Sequence, residues 1–406
     1  MGTAPLAGRR VIELGSMLAA PFATHILAQL GAEIIKVEPP NGDPTRSLVR
    51  GGPSGTLIAY SHGKKSVCMD LSKPGAREAL MKLLATADGL VHNLAPKAAR
   101  KLGVTRKECE AANPRLIYCH IRGYAAGPQE EDLASNPVAE ASTGVMETNR
   151  NNGRPSRLGP SYHDQFAGAY AVIGMLAEML RIDSPNARKH VEVGLYETGL
   201  HVASRDLVGV QLKTQLLGRP EREPHGEFSM PGYGAYLTSD SRWGYLLILN
   251  DGHWLRFCKA LQLPETEDAS LATLRLRKKA RDKVERIVRD AIQRHTFDEL
   301  SLQLTAAGVG FTEVVPLERV LDAPQARFPG KLREVDYRGL VFDVPEFPRA
   351  PDGEALESSP LPELGEHSLD VLRSVGISDD ALDSLLSSGA VLAHRPDAFA
   401  WAPVHE

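Results

Sequence analysis

Arg10-Val-Ile-Glu-Leu14, Pro21-Phe-Ala-Thr-His-Ile-Leu-Ala-Gln-Leu30 and Glu33-Ile-Ile-Lys-Val37, followed by Glu38, set the architecture of this chain. The first and third are short apolar runs bounded by polar residues, and the middle one carries apolar residues at helical spacing. Strand, helix and strand within about 30 residues make a βαβ unit, which requires a parallel sheet with a covering helix. The alternation then repeats. Ser66-Val-Cys-Met69 and Gly89-Leu-Val-His92 read as strands around a helix over 75–87, and Leu116-Ile-Tyr-Cys-His-Ile121 as a strand before Gly123. A long helix over 165–181 and a strand at His190-Val-Glu-Val-Gly194 follow, so the expected class is α/β.

The composition changes at 218–235, where Gly218, Pro220, Pro224, Gly226, Pro231, Gly232 and Gly234 mark a functional loop or a domain boundary. A smaller α+β domain is expected over 225–325. It has strands near Ala235–Thr238 and Tyr245–Leu249 and helices over 252–262, 278–294 and 297–307, and the charges in Arg275–Arg289 read as a solvated helix face. The Pro-rich stretch 326–362 reads as an extended crossing segment, and two helices, Ser368–Ser374 and Asp379–Ser388, close the chain. Residues 1–220 with 330–406 would form the large domain.

The 406 residues, 42% hydrophobic, suffice for two to three cores. A net charge of −4 with a pI near 6.4 argues against nucleic-acid and anionic-membrane partners. Cys68, Cys109, Cys119 and Cys258 lack metal spacing, as expected for reduced thiols in a cytoplasmic protein without zinc or disulfides. No run approaches about 18 apolar residues, so no membrane span is expected.

The first turn, Gly15-Ser-Met-Leu-Ala-Ala-Pro21, holds one glycine where a nicotinamide-binding fold needs several, which disfavours a dehydrogenase. Lys36 and Glu38 end the second strand, either as exposed residues or near an adenosine ligand. Lys97, Arg100 and Lys101 share one face of a helix started by Pro96, an arrangement suited to phosphate or to solvent. Lys64-Lys65 is a second basic cluster, and Arg150, Arg154 and Arg157 are a third. Asp164 stands where the helix over 165–181 begins, where backbone N–H groups and the helix dipole should keep a carboxylate ionised. By itself such a residue is usually only a cap.

In combination these motifs point further. Pro5-Leu-Ala-Gly-Arg-Arg-Val-Ile-Glu-Leu14, Pro21-Phe-Ala-Thr24, Leu30-Gly-Ala-Glu-Ile-Ile-Lys-Val-Glu-Pro-Pro40, Gly42-Asp-Pro-Thr-Arg46, Gly63-Lys-Lys-Ser-Val67, Asn113-Pro-Arg-Leu-Ile-Tyr118 and Leu364-Gly-Glu-His367 occur in fixed order. The chain resembles the class III CoA-transferases, the family of formyl-CoA transferase, carnitine CoA-transferase and the α-methylacyl-CoA racemases. The resemblance implies a doubly wound, Rossmann-like large domain, an interlocked homodimer, and CoA as an acyl-CoA substrate with no metal.

It further implies that Asp164 is the nucleophile, and that CoA contacts fall on Met17, Leu18, Ala19, Met69 to Lys73, Asn93, Leu94, Ala98, Lys101, Leu102 and Arg122 to Tyr124, with Lys97 beside them. The loop Gly226–Gly234, with Gly232 and Gly234, would supply oxyanion donors. The racemase branch places a histidine and an aspartate where this chain has Ser135-Asn136, so racemisation is disfavoured. His163 reads as a local loop residue. Transfer of CoA from a donor such as succinyl-CoA to a small organic acid is expected, with one of Arg150, Arg154 or Arg157 holding the unreacted carboxylate of a dicarboxylic acceptor. The alternatives are an acyl-CoA racemase and a non-catalytic CoA-binding protein.

Overall fold

The computed structural model describes residues 4–49, 52–219, 230–348 and 358–394. Five strands come first: β1 (Arg10–Leu14), β2 (Glu33–Glu38), β3 (Lys65–Met69), β4 (Gly89–His92) and β5 (Ile117–Arg122). A short ribbon follows, β6 (Arg150–Asn151) with β7 (Arg154–Pro155), and then β8 (His190–Gly194). The intervening helices are α1 (Ala19–Gln29), α2 (Gly55–Ser61), α3 (Ala76–Ala85), α4 (Pro96–Leu102), α5 (Arg106–Ala112), α6 (Asn136–Ser142), α7 (Val145–Thr148) and α8 (Tyr162–Leu180). After β8 come α9 (Leu195–Val202) and α10 (Ser204–Leu217).

The chain divides into two compact units, residues 1–207 with 328–406, and residues 208–327. The smaller unit has its own antiparallel sheet, β9 (Gly234–Leu237), β10 (Trp243–Leu247) and β11 (Gly310–Glu313), with β10 central. Its core gathers Leu246, Trp254, Phe257, Val288 and Leu300. Within the charged stretch expected to face solvent, Arg277 is instead fully buried. Its guanidinium bonds Asp251 and the Leu271 carbonyl and lies over the Trp254 ring.

In the larger unit the residues after 330 pair rather than running on singly. β12 (Leu332–Tyr337) and β13 (Leu340–Pro345) form a hairpin, and β14 (Ser359–Pro360) joins β12 in parallel. β15 (Val391–Leu392) then adds an antiparallel edge to β3, completing the sheet order β15-β3-β2-β1-β4-β5-β8. All other pairings in that sheet are parallel. The order reverses between β1 and β4, and at such a switch point the connections leave in opposite directions and open a crevice at the carboxyl ends of the strands.

Alternate strand residues serve opposite faces. Val11 packs with Ala23, Leu27, Ala167 and Met175 from α1 and α8, while Ile12 packs with Leu80, Leu83, Leu372 and Leu382 on the other side. The helices approach closely. A Cβ on Gly15 would come 2.5 Å from the Ala20 Cβ, and one on Gly168 would come 2.8 Å from the Ala19 carbonyl oxygen. Gly15 therefore serves strand–helix packing, and Gly168 seats α8 against the beginning of α1.

Glu13, in the middle of β1, is completely buried. Its carboxylate meets Lys36 at 2.6 Å and Lys64 at 2.7 Å, and Lys36 also meets Asp43 at 2.9 Å. Two carboxylates and two ammonium groups thus balance one another away from water. Burial alone would raise the Glu13 carboxyl, but the adjacent Lys36 and Lys64 outweigh it and hold the group well below the usual range. Beside them Arg46 bonds Glu38 in bidentate fashion, with both contacts at 2.7 Å. Lys36, Glu38 and Lys64 are therefore structural, and Lys65 pairs with Glu33. The loop carrying Lys64-Lys65 holds no free cationic cluster, because burial of Lys64 requires a counter-ion and Glu13 is it.

Among the described residues no helix is long and apolar enough to cross a membrane, and no His, Cys, Asp or Glu group is arranged for a metal. Glu13→Gln should lower the unfolding free energy by about 3–5 kcal/mol in urea titrations, because Lys64 is left buried without its counter-charge. In the wild type this contribution is present above the ordinary glutamate range. It is lost as acid protonates Glu13, since the folded-state value is the depressed one.

Candidate active site

Two adjoining cavities open at the carboxyl edge of the large sheet. A cleft of about 370 Å³ is lined by the ends of β1, β2 and β3, including Ser16, Glu38, Asp43, Met69 and Ser72, with Leu94 and Leu102. A pocket of about 410 Å³ lies across the switch point, between Met17–Ala19, Asn93, Ile121–Gly123, Ala134–Pro137, Ser161, Asp164 and Leu195.

The boundary between them is fixed by backbone capture. Asn93 accepts the Ser16 N–H at 3.0 Å and donates to the Ser16 carbonyl at 2.9 Å, tying the β4 loop to the β1 loop. Met17 then takes a left-handed conformation, φ +64°, with its N–H donated to Asp43. Its side chain is exposed beside the pocket. Such a backbone is costly for a residue with a Cβ and persists only where neighbours hold it. Here they are Asn93 and the buried Asp43.

Asp164 is the third residue of α8, not the residue before the helix as expected. The helix begins earlier because an acceptor arrives from elsewhere in the fold. Asn136 Oδ1 takes the N–H groups of His163 at 3.0 Å and Asp164 at 3.3 Å. Asn136 in turn donates to Glu140, one turn along α6, and Glu140 also accepts the Leu158 N–H at 3.1 Å. The N–H groups expected to stabilise the Asp164 carboxylate are thereby occupied. Burial raises Asp164 from 3.8 to about 6, Arg157 pulling it down and Glu140 pushing it up. Desolvation thus outweighs the pull expected of the helix start, although a value of about 6 still leaves the group mostly ionised at neutral pH.

His163 points away from the pocket. It is buried against Gly199, its Nε2 lies 3.4 Å from Thr143 Oγ1, and burial keeps it neutral. Of the expected coenzyme residues, Met17, Leu18, Ala19, Asn93 and Arg122 line the pocket with Asp164. Met69, Leu94 and Leu102 line the cleft, and Lys73 closes the turn beginning at Asp70 beside it. Tyr124 is buried, its ring 5.4 Å from that of Tyr196.

On α4 Ala98 is half-buried, and Arg100 forks onto Glu131, at 2.9 and 2.8 Å. Lys97 and Lys101 remain exposed, so the basic triplet offers two free cations instead of three. Arg150 and Arg154 lie on the exposed β6–β7 ribbon, Arg150 paired with Glu147. Arg157 is exposed as well, but its guanidinium comes within 3.9 Å of the buried Glu140. Gly232 and Gly234 belong to the smaller unit, where the Gly232 N–H is already donated to Glu285 at 3.1 Å. Gly226–Ser229 of that loop lie outside the described residues.

Sequence reasoning missed the role of Asn136 and Glu140. Their four-residue spacing at the start of a helix places them on one face, but nothing local announces that the face meets another helix's first turn.

The sequence profile of CoA-transferase family III matches residues 6–368. Human succinyl-CoA:glutarate CoA-transferase is 29% identical, over 96% of this chain and 91% of its own. A succinate–glutarate CoA-transferase of Agrobacterium fabrum is 28% identical, over 91% and 95%. The crystal structure of a CaiB/BaiF family protein from Brucella suis superposes with a TM-score of 0.80 at 26% identity, covering 92% of this chain and all of that one.

Because Asp164 is raised in the folded state, its ionised form opposes folding at neutral pH. Asp164→Asn should therefore stabilise the protein at pH 8, by at most about 3 kcal/mol at 1.36 kcal/mol per pH unit. The gain should vanish below about pH 3.8, where the wild-type residue is protonated in both states. Urea unfolding of both proteins at pH 8 and as close to pH 3.5 as they remain folded checks this, and equal stability at pH 8 would contradict the assigned burial.

Proposed function

The chain belongs to CoA-transferase family III and transfers CoA, and we propose that it does so through Asp164, from a dicarboxylyl thioester such as succinyl-CoA to a carboxylic acid. One observation carries the reading: Asp164 is the only carboxylate among the described residues lining the pocket, and the pocket adjoins the crevice at the sheet's switch point. The relatives that act on succinyl and glutaryl groups support the substrate class.

In this reading the coenzyme's nucleotide end lies along the cleft near Lys97 and Lys101, and its thioester reaches Asp164 past Met17 and Asn93. The Asp164 carboxylate attacks the thioester carbonyl and the thiolate leaves, giving a mixed anhydride. The thiolate then attacks the aspartyl carbonyl, releasing the donor acid and leaving an aspartyl thioester. An acceptor carboxylate attacks that carbonyl, the thiolate leaves again, and its attack on the new acyl carbonyl regenerates Asp164 and free acyl-CoA. A value of about 6 leaves Asp164 mostly ionised at pH 7 while making it a stronger nucleophile than an ordinary aspartate.

Each step creates an oxyanion. α1 begins without a side-chain cap, and Leu18 and Ala19 line the pocket, so its first N–H groups are suited to receive that charge. Racemisation needs a second acid or base facing the α-carbon, and no histidine stands among the described residues that line the pocket. We also propose a cytoplasmic homodimer. The four buried cysteines, none in a disulfide, support the compartment, and the apolar Leu212, Leu216 and Leu217 exposed on α10 support a second copy.

Asp164→Ala should reduce transfer below about one per cent of wild type while leaving CoA binding near normal. Hydroxylamine added after succinyl-CoA should mark the Asp164 peptide; a mark elsewhere relocates the nucleophile. The wild-type rate should fall about tenfold per pH unit below roughly 6, and a profile flat to pH 5 would contradict the role. Lys101→Glu, more strongly with Lys97→Glu, should raise KM for the acyl-CoA with a smaller effect on kcat, and the effect should fade in high salt. Unchanged KM would leave α4 as a solvated helix.

A further inference from the structure

We propose that Arg122 determines the acid specificity of the transfer: its guanidinium receives the free carboxylate of a dicarboxylic substrate whose other carboxyl group reacts at Asp164. The inference rests on the dicarboxylate reading above and adds the residue that would enforce it. Among the described residues lining the pocket, Arg122 is the only cation, and it shares that wall with the only carboxylate.

Arg122 ends β5, at the carboxyl edge of the sheet, and its side chain is 9% exposed. A guanidinium so enclosed is normally consumed by protein acceptors, but this one is not. Nη2 donates to the Glu130 carbonyl at 2.7 Å. Nη1 lies 3.5 Å from the Glu192 carboxylate, and Nη2 lies 3.9 Å from that of Glu130. Neither separation is a well-formed charged hydrogen bond. Glu192 is moreover engaged by the Ala126 N–H at 2.7 Å. The buried Nε has no hydrogen-bond partner among the described residues. The fork is therefore oriented by one backbone carbonyl and left with donor capacity.

A planar fork held in this way loses little freedom on meeting a carboxylate and matches its geometry. The arginines nearest Asp164 in sequence are less suited, because Arg150 and Arg154 lie on an exposed ribbon and Arg157 faces Glu140; none of them lines the pocket. A site with buried donors also rejects the wrong acid: a monocarboxylate would enter without giving Arg122 a further acceptor, leaving Nε unsatisfied and Nη1 with only the loose contact to Glu192.

The test compares a diacid and a monoacid of similar length, glutarate and butyrate, as acceptors from one succinyl-CoA donor. The donor half-reaction is then common to both and cancels in the ratio of their kcat/KM values. Arg122→Gln should lower the glutarate-to-butyrate ratio at least tenfold, and Arg122→Lys should fall between, because an ammonium keeps the charge and loses the fork. A ratio within threefold of wild type in both variants overturns the role of Arg122 while the dicarboxylate reading stands. That role is equally overturned if KM for succinyl-CoA rises and the ratio does not move, since Arg122 would then serve the coenzyme. If wild type itself prefers butyrate, the dicarboxylate reading fails and this inference fails with it. Should Arg122→Gln not fold, the Arg122→Lys ratio decides alone.

Discussion

The buried pairing of Glu13 with Lys36 and Lys64 holds the large unit in register. An unpaired charge inside a sheet is costly enough to prevent folding, so each group dictates where the others must be. Glu13 belongs to β1, Lys36 to β2, Lys64 to the entry of β3, and Asp43 to the loop after β2. Three strands and the loop beside the cleft are thus aligned by one neutral cluster. Its influence extends into the pocket, because Asp43 also accepts the N–H of the left-handed Met17. The buried charges of Gly42-Asp-Pro-Thr-Arg46 and Gly63-Lys-Lys are in this light instructions for assembly, although Gly42, Asp43 and Pro44 also form part of the cleft wall.

Asp164 is treated in the opposite way. Glu13 is buried and neutralised by two lysines, whereas Asp164 is largely desolvated with only the more distant Arg157 as favourable charge. The two carboxyls therefore move in opposite directions, Glu13 down and Asp164 up. Asn136 completes the contrast: by accepting the N–H groups of the first turn of α8, it satisfies the helix without serving the carboxylate. What would be a routine cap is supplied by another residue, and the acid is left desolvated, which is what the proposed nucleophile needs.

Charge placement also narrows which cations are left for the proposed contacts with an anionic coenzyme and substrate. Most of the cations that look available are consumed: Lys36, Arg46 and Lys64 inside the fold, Lys65 by Glu33, and Arg100 by Glu131. Lys97 and Lys101 on α4 are left with exposed ammonium groups, and Arg122 in the pocket wall retains unused donors. The separation is physical, since a lysine deep in a sheet must be paired whereas one on a short surface helix need not be.

The α/β class, the six parallel strands and the helices α1, α3, α4 and α8 were legible in the amino-acid order, because period and punctuation are local properties that burial on a sheet enforces, whereas the short α2, α5, α6 and α7 were not read from it. Of the residues singled out in the sequence, Met17 to Ala19, Asn93, Arg122 and Asp164 do line the pocket, and Met69, Leu94 and Leu102 the cleft. Three matters emerged only once the chain was folded. The first is which charges are partners: Glu13 and Lys64 are 51 positions apart, and their pairing follows from the strand order. The second is where α8 begins, because the acceptor for its first N–H groups stands 27 and 28 positions earlier, on α6. The third is which arginine shares the pocket with Asp164: proximity along the chain favoured Arg150, Arg154 and Arg157, but the pocket wall is built by β5 and holds Arg122. Each depends on desolvation and on contacts between distant segments, and none is encoded in a window of neighbouring residues.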